Sequence, residues 1–79
     1  MNVTEQEEDV AVKEVELQLA QTTMAYWRDE LDRVRSVPES PEEISKVLLS
    51  VQQAKSAVRV AEIRLAAAKS RLAQQRIEK

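Results

Sequence analysis

Residues 44–72 read ISKVLLS VQQAKSA VRVAEIR LAAAKSR L, heptads that each open on an apolar side chain: Ile44, Val51, Val58, Leu65 and Leu72. A column that returns every seventh residue stays on one side of an α-helix and marks helices that lie side by side. The same column occurs earlier in the chain, as Val3, Val10, Leu17, Met24 and Leu31. With these columns at heptad position a, position d is Gln6, Lys13, Ala20, Trp27 and Val34 in the first segment and Val47, Ala54, Ala61, Ala68 and Gln75 in the second. Each segment therefore carries one continuous seam. The fold class that follows is all-α, an antiparallel two-helix hairpin of coiled-coil type that assembles into a four-helix or larger bundle.

The punctuation between the columns agrees with that reading. Thr4-Glu5-Gln6-Glu7 and Ser40-Pro41-Glu42-Glu43 both have the form of a capping box, in which the hydroxyl and the glutamate satisfy amides at a helix start. Pro41 suits the first helical position, where a missing N–H costs nothing. Val37 precedes Pro38, and a residue before proline is pushed out of helical dihedrals. The expected organisation is a single helical-hairpin domain over 1–79, with helix 1 at about 5–36, a turn at 37–40 and helix 2 at about 41–78. So short a connection favours antiparallel neighbours. It leaves open whether the hairpin closes within one chain or opens into a swapped long helix around Pro38 and Pro41.

Antiparallel pairing sets a against d, so Leu31 faces Val47, Trp27 faces Val51, Met24 faces Ala54 and Leu17 faces Ala61. Large opposite small is how such a seam reaches interior density. Charge points the same way: residues 1–40 hold four basic and ten acidic side chains, residues 41–79 eight and four, a net of −6 against +4. In this register Glu16 is expected near Arg64, Asp9 near Arg71, and Glu7 near Lys69 or Arg76. Lys13 would lay its stem over Leu65 and keep its ammonium wet.

Composition removes most chemistries. The 79 residues include no Cys, no His and no Gly, which takes away disulfides, thiolates, the commonest zinc ligands, the usual general base and phosphate-cradling loops together. The carboxylates of Glu5, Glu7, Glu8 and Asp9, and of Glu42 and Glu43, are explained by the positive ends of two helix dipoles. No catalytic residue, metal ligand or cofactor is expected, and the chain is read as a non-enzyme. Neither a basic-then-apolar leader nor a membrane-length apolar run is visible, so a cytoplasmic protein without membrane contact is the expectation. A chain this short buries too little surface to be comfortable alone, and with no cysteine or metal the remaining support is self-association or a partner.

Where that partner docks is suggested by the apolar residues the seam leaves out. Val12, Val15, Leu19 and Tyr26 recur at helical spacing on the far side of helix 1; Leu49, Val60, Ile63, Ala67 and Ile77 do so on helix 2. Two stripes that a lone hairpin would leave wet are the pattern of a protein–protein contact. The expected partner-binding residues are Val12, Val15, Leu19, Tyr26, Arg28, Val60, Ile63 and Ala67, with Tyr26 and Arg28 as anchors because Tyr and Arg are favoured at interfaces. The function expected is a small adaptor, inhibitor or chaperone-like accessory protein, of the kind phages, plasmids and secretion systems use, working by helix–helix docking with itself and with another protein.

Two alternatives stand beside it. One is a purely structural homo-oligomeric bundle. The other is nucleic-acid binding through Arg59, Arg64, Lys69, Arg71 and Arg76 on helix 2, the arrangement implied by a similarity in architecture to the dimeric hairpin Rop, with which no residue motif is shared. WXG-type secretion substrates are similar in size and helix count but carry Trp-x-Gly at the turn, where this chain continues Trp27-Arg28-Asp29 inside a helix.

Overall fold

The computed structural model describes residues 2–37 and 41–77. Two helices, α1 (Val3–Ser36, 34 residues) and α2 (Pro41–Ile77, 37 residues), pack against each other along their length. At 1.5 Å per residue they are about 51 and 56 Å long, and the Cα atoms span 61 × 14 × 13 Å. The hairpin closes within one chain. Among the described residues no helix is long and apolar enough to cross a membrane.

The start of α1 differs from the expected capping box. Asn2, in extended backbone (φ −85°, ψ 172°), is the cap. Its Oδ1 accepts from the Glu5 amide at 2.8 Å and its carbonyl from the Gln6 amide at 3.0 Å. Thr4 is therefore already inside the first turn, and α1 begins at Val3 rather than near residue 5. An asparagine oxygen reaches the third helical amide as readily as a threonine hydroxyl does, so the earlier cap wins and adds two helical residues. At the other end α1 stops at Ser36, and Val37 takes φ −111°, ψ 131°, the extended conformation forced on a residue before proline. Pro41 opens α2, with Glu42 and Glu43 in its first turn. The capping box expected from Ser40 lies outside the described residues, as does the rest of the turn.

The seam is the line of burial. Every a and d residue of both helices is buried or half-buried, and Val34 is fully inaccessible. Burial is lopsided: Val47, Val51, Ala54, Val58, Ala61, Ala68 and Leu72 are buried in α2, but only Leu31 and Val34 in α1. Side-chain size accounts for part of this: an alanine at d on α2 is nearly covered by a larger neighbour, while Leu17 or Met24 extends past a partner too small to cover its flanks. It does not account for Ala20, half-buried opposite the buried Val58. Toward the turn the layers become large on both sides, and Leu31, Val34, Val47 and Val51 form one cluster with Trp27 and Ile44 packed against it.

Ion pairs line the seam. Asp9 meets Arg71 at 3.5 Å and Glu7 meets Arg76 at 3.1 Å near the open end, and Arg33 meets Glu43 at 3.9 Å near the turn. Of the two cations expected for Glu7, it is Arg76 that contacts it. The expected Glu16–Arg64 pair does not form; Glu16 lies 4.0 Å from the Lys13 ammonium, which also reaches Asp9 at 3.4 Å. Lys13 belongs to the same helix and is one turn away, so it reaches Glu16 without crossing the groove.

Candidate partner-docking surface

Helical geometry decides which side chains the hairpin leaves free. Val12, Leu19 and Tyr26 occupy heptad position c and Val15 position f, which point roughly 130° and 170° away from the a/d seam. On α2, Val60 and Ala67 occupy c, and Leu49, Ile63 and Ile77 occupy f. The exposures follow: Val15 63%, Leu19 67% and Tyr26 59% on α1, Val60 45% and Ile63 54% on α2. Val12, Ala67, Leu49 and Ile77 are exposed as well. The hairpin is thus a flat slab two helices wide, with an apolar strip along each narrow edge.

Tyr26 is the most defined feature of the α1 strip. Its ring stands edge-on to Trp27, centroids 5.1 Å apart and planes at 77°, a favoured aromatic geometry. Trp27 is itself packed against the core cluster. The indole therefore contacts the phenol on its core side. Between Leu19 and Tyr26 lies Thr22, whose hydroxyl donates to the Gln18 carbonyl at 3.0 Å. With that donor satisfied inside the helix, the strip runs from Val12 to the phenol ring of Tyr26 with its one intervening hydroxyl already hydrogen-bonded. Thr22 was not among the residues expected to bind. Its spacing, three after Leu19 and four before Tyr26, is the signal that places it there.

Not all of the expected residues come together. Arg28 follows Tyr26 by two positions, and residues two apart do not share a helix face. It is exposed on the flank between seam and strip, so it and Tyr26 do not form one anchor. The five α2 residues of the nucleic-acid reading, Arg59, Arg64, Lys69, Arg71 and Arg76, are scattered over positions b, e and g. Two of them, Arg71 and Arg76, face the carboxylates of Asp9 and Glu7.

A shallow open groove of about 500 Å³ runs along one broad face of the slab, floored by Ala20, Ala57 and Ala61 and edged by Val60, Glu16 and Arg64. A second, of about 320 Å³, lies between Ala11, Val15, Leu17 and Leu65 on the other face. Both are creases between helices rather than enclosed cavities. Among the described residues no three acidic side chains are grouped to hold a metal ion.

The chain matches no family model, no curated protein and no solved structure.

Proposed function

We propose that this chain is a non-enzymatic protein–protein interaction module, a small cytoplasmic adaptor, inhibitor or chaperone-like protein that works by helix–helix docking. The observation that carries the reading is the pair of exposed apolar strips, with Leu19 at 67% and Ile63 at 54% exposure on opposite edges of a slab whose own seam is already filled. Large aliphatic side chains aligned at helical spacing form one contiguous strip that a single docked helix can cover. Val12, Val15, Leu19 and Tyr26 form one docking edge and Val60, Ile63 and Ala67 the other. Hairpins joined through these edges make assemblies of four helices or more. Nucleic-acid binding ranks below this reading because Arg71 and Arg76 are engaged by Glu7 and Asp9 within the hairpin and no aromatic side chain of α2 is available for base stacking.

The test is recovery of bound proteins from the native cell by the tagged chain and by a Leu19→Glu/Ile63→Glu double variant. The variant should lose the proteins that the unmodified chain retains. Equal recovery by both would refute the assignment of the edges.

A further inference from the structure

We infer that the occupant of each apolar edge is the opposite edge of a second copy of this chain, α1 of one hairpin docking on α2 of the next. This rests on the reading of the strips as docking faces and names their partner. Three observations carry it.

The first is charge. The segment that forms α1 and its cap is strongly acidic and the segment that forms α2 is basic. Beside the strip on α1 stands Glu16; beside the strip on α2 stand Arg59 and Arg64. Docking like on like would set acidic helix against acidic helix, or basic against basic, whereas α1 on α2 repeats the complementarity that already holds inside the hairpin. Among the described residues Glu16 has no cross-helix ion pair and meets Lys13 at 4.0 Å, so its carboxylate is available to an arginine of the neighbour.

The second is height. In the antiparallel register fixed by Asp9 with Arg71, Val15 and Leu19 stand at about the level of Val60 and Ile63, on the other edge of the slab. Hairpins laid side by side without any offset therefore bring Val15 and Leu19 of one copy against Val60 and Ile63 of the next, and keep neighbouring helices antiparallel throughout.

The third is direction. The strips lie roughly 130–170° from the seam, whereas a square four-helix bundle needs them nearer a right angle to it. The geometry suits a layer, in which a dimer is four helices abreast. Because the two edges differ, the contact is heterologous and leaves one of each edge free, so association continues beyond the dimer.

Sedimentation velocity of the purified chain over a wide concentration range tests this, with Leu19→Glu and Ile63→Glu as single variants. Both sites are exposed in the hairpin, and far-UV circular dichroism should show unchanged helicity. The unmodified chain should pass from monomer to dimer and longer species; each variant alone should remain monomeric; an equal mixture of the two should recover a dimer and nothing longer, since it contains one intact edge of each kind. A monomer at every concentration overturns the inference while leaving foreign capture by the edges to its own assay. Dimers of Ile63→Glu alone would show α1 pairing with α1, and dimers of Leu19→Glu alone α2 with α2; either overturns it, as does a mixture that stays monomeric. Should a glutamate variant lose helicity, cross-linking decides instead. The chain has no cysteine, so oxidation of mixed Val15→Cys and Ile63→Cys chains should give the mixed disulfide in preference to either homodimer, and homodimers alone would refute the pairing.

Discussion

The Arg76 guanidinium donates to Glu7 Oε1 at 3.1 Å across 69 positions of sequence, almost the whole length of the chain. This contact ties the first turns of α1 to the last turns of α2, where seam packing is weakest. With Asp9–Arg71 one turn further in, it specifies the antiparallel register by charge at the end farthest from the turn.

Both side chains of the Glu7–Arg76 pair are about half exposed, so its strength is that of a surface pair. A double-mutant cycle through Glu7→Gln and Arg76→Gln should give a coupling of ~0.2–1 kcal/mol in low salt and less in high salt. Reversing one charge with Arg71→Glu should cost more than neutralising it, because Asp9 then faces a like charge. Denaturant titrations of the variants at two ionic strengths would check both statements.

The opposite end carries the aliphatic core. Leu31→Ala removes a side chain buried among Val34, Val47 and Val51 and should destabilise the hairpin by about 2–5 kcal/mol. Val10→Ala, at an equivalent seam position but only half-buried, should cost clearly less. Amide exchange should rank the same way, slowest around Leu31, Val34, Val47 and Val51 and progressively faster toward Val3 and Ile77.

The middle of the seam depends on smallness. Ala54 and Ala61 are buried where the register places Met24 and Leu17. Ala61→Leu should therefore destabilise by about 1–3 kcal/mol through overpacking, despite adding apolar surface. Pairing it with Leu17→Ala should recover part of the loss, and thermal melts of the two single variants and the double variant would show it.

Glu30 gives a pH signature. The Arg33 guanidinium beside it, hydrogen-bonded through Nε at 2.9 Å, holds its carboxyl below the ordinary glutamate value of 4.5. A depressed acid contributes stability that is present above its unfolded pKa and is lost as pH falls through the folded one. The effect should appear below about pH 4.5 and be small, since the pair is at the surface. A carboxyl titration followed by NMR should place the Glu30 midpoint below the ordinary glutamate value of 4.5, and Arg33→Gln should return it toward that value.

The heptad columns made the seam legible because burial in a two-helix pair follows mainly from angular position; the structure covers every a and d residue from Val3 to Gln75, together with Asp9, Glu30 and Ser50 at the adjoining g position. The cap at Asn2 is not legible in the sequence because Thr4-x-x-Glu7 and Asn2-x-x-Glu5 are the same signature two residues apart, and sequence pattern gives no reason to prefer one. The partner of Glu16 is not legible either, because register predicts which residues are level with each other, while the choice between Lys13 and Arg64 depends on side-chain reach. The strips at Val12–Tyr26 and Leu49–Ile77 were visible as spacing. What covers them was not, since an exposed valine looks the same whichever helix packs on it, and only the charges beside it distinguish one occupant from another.

The open end of the seam contains a group that works against the fold. Gln6 occupies a d position, is half-buried, and its Oε1 is shielded from solvent without a hydrogen-bond donor. A buried acceptor left unpaired costs about 1–3 kcal/mol, and an apolar side chain of similar size avoids that cost while adding buried surface. Gln6→Leu should therefore stabilise the hairpin, by about 1 kcal/mol once partial exposure is allowed for, and should slow amide exchange in the first turns of α1 and the last turns of α2. Gln6→Ala would remove the unpaired oxygen without refilling the space and should gain less. A melting temperature that rises for alanine as much as for leucine would show that the end of the seam is too open to pack, and that Glu7–Arg76 rather than apolar contact holds it.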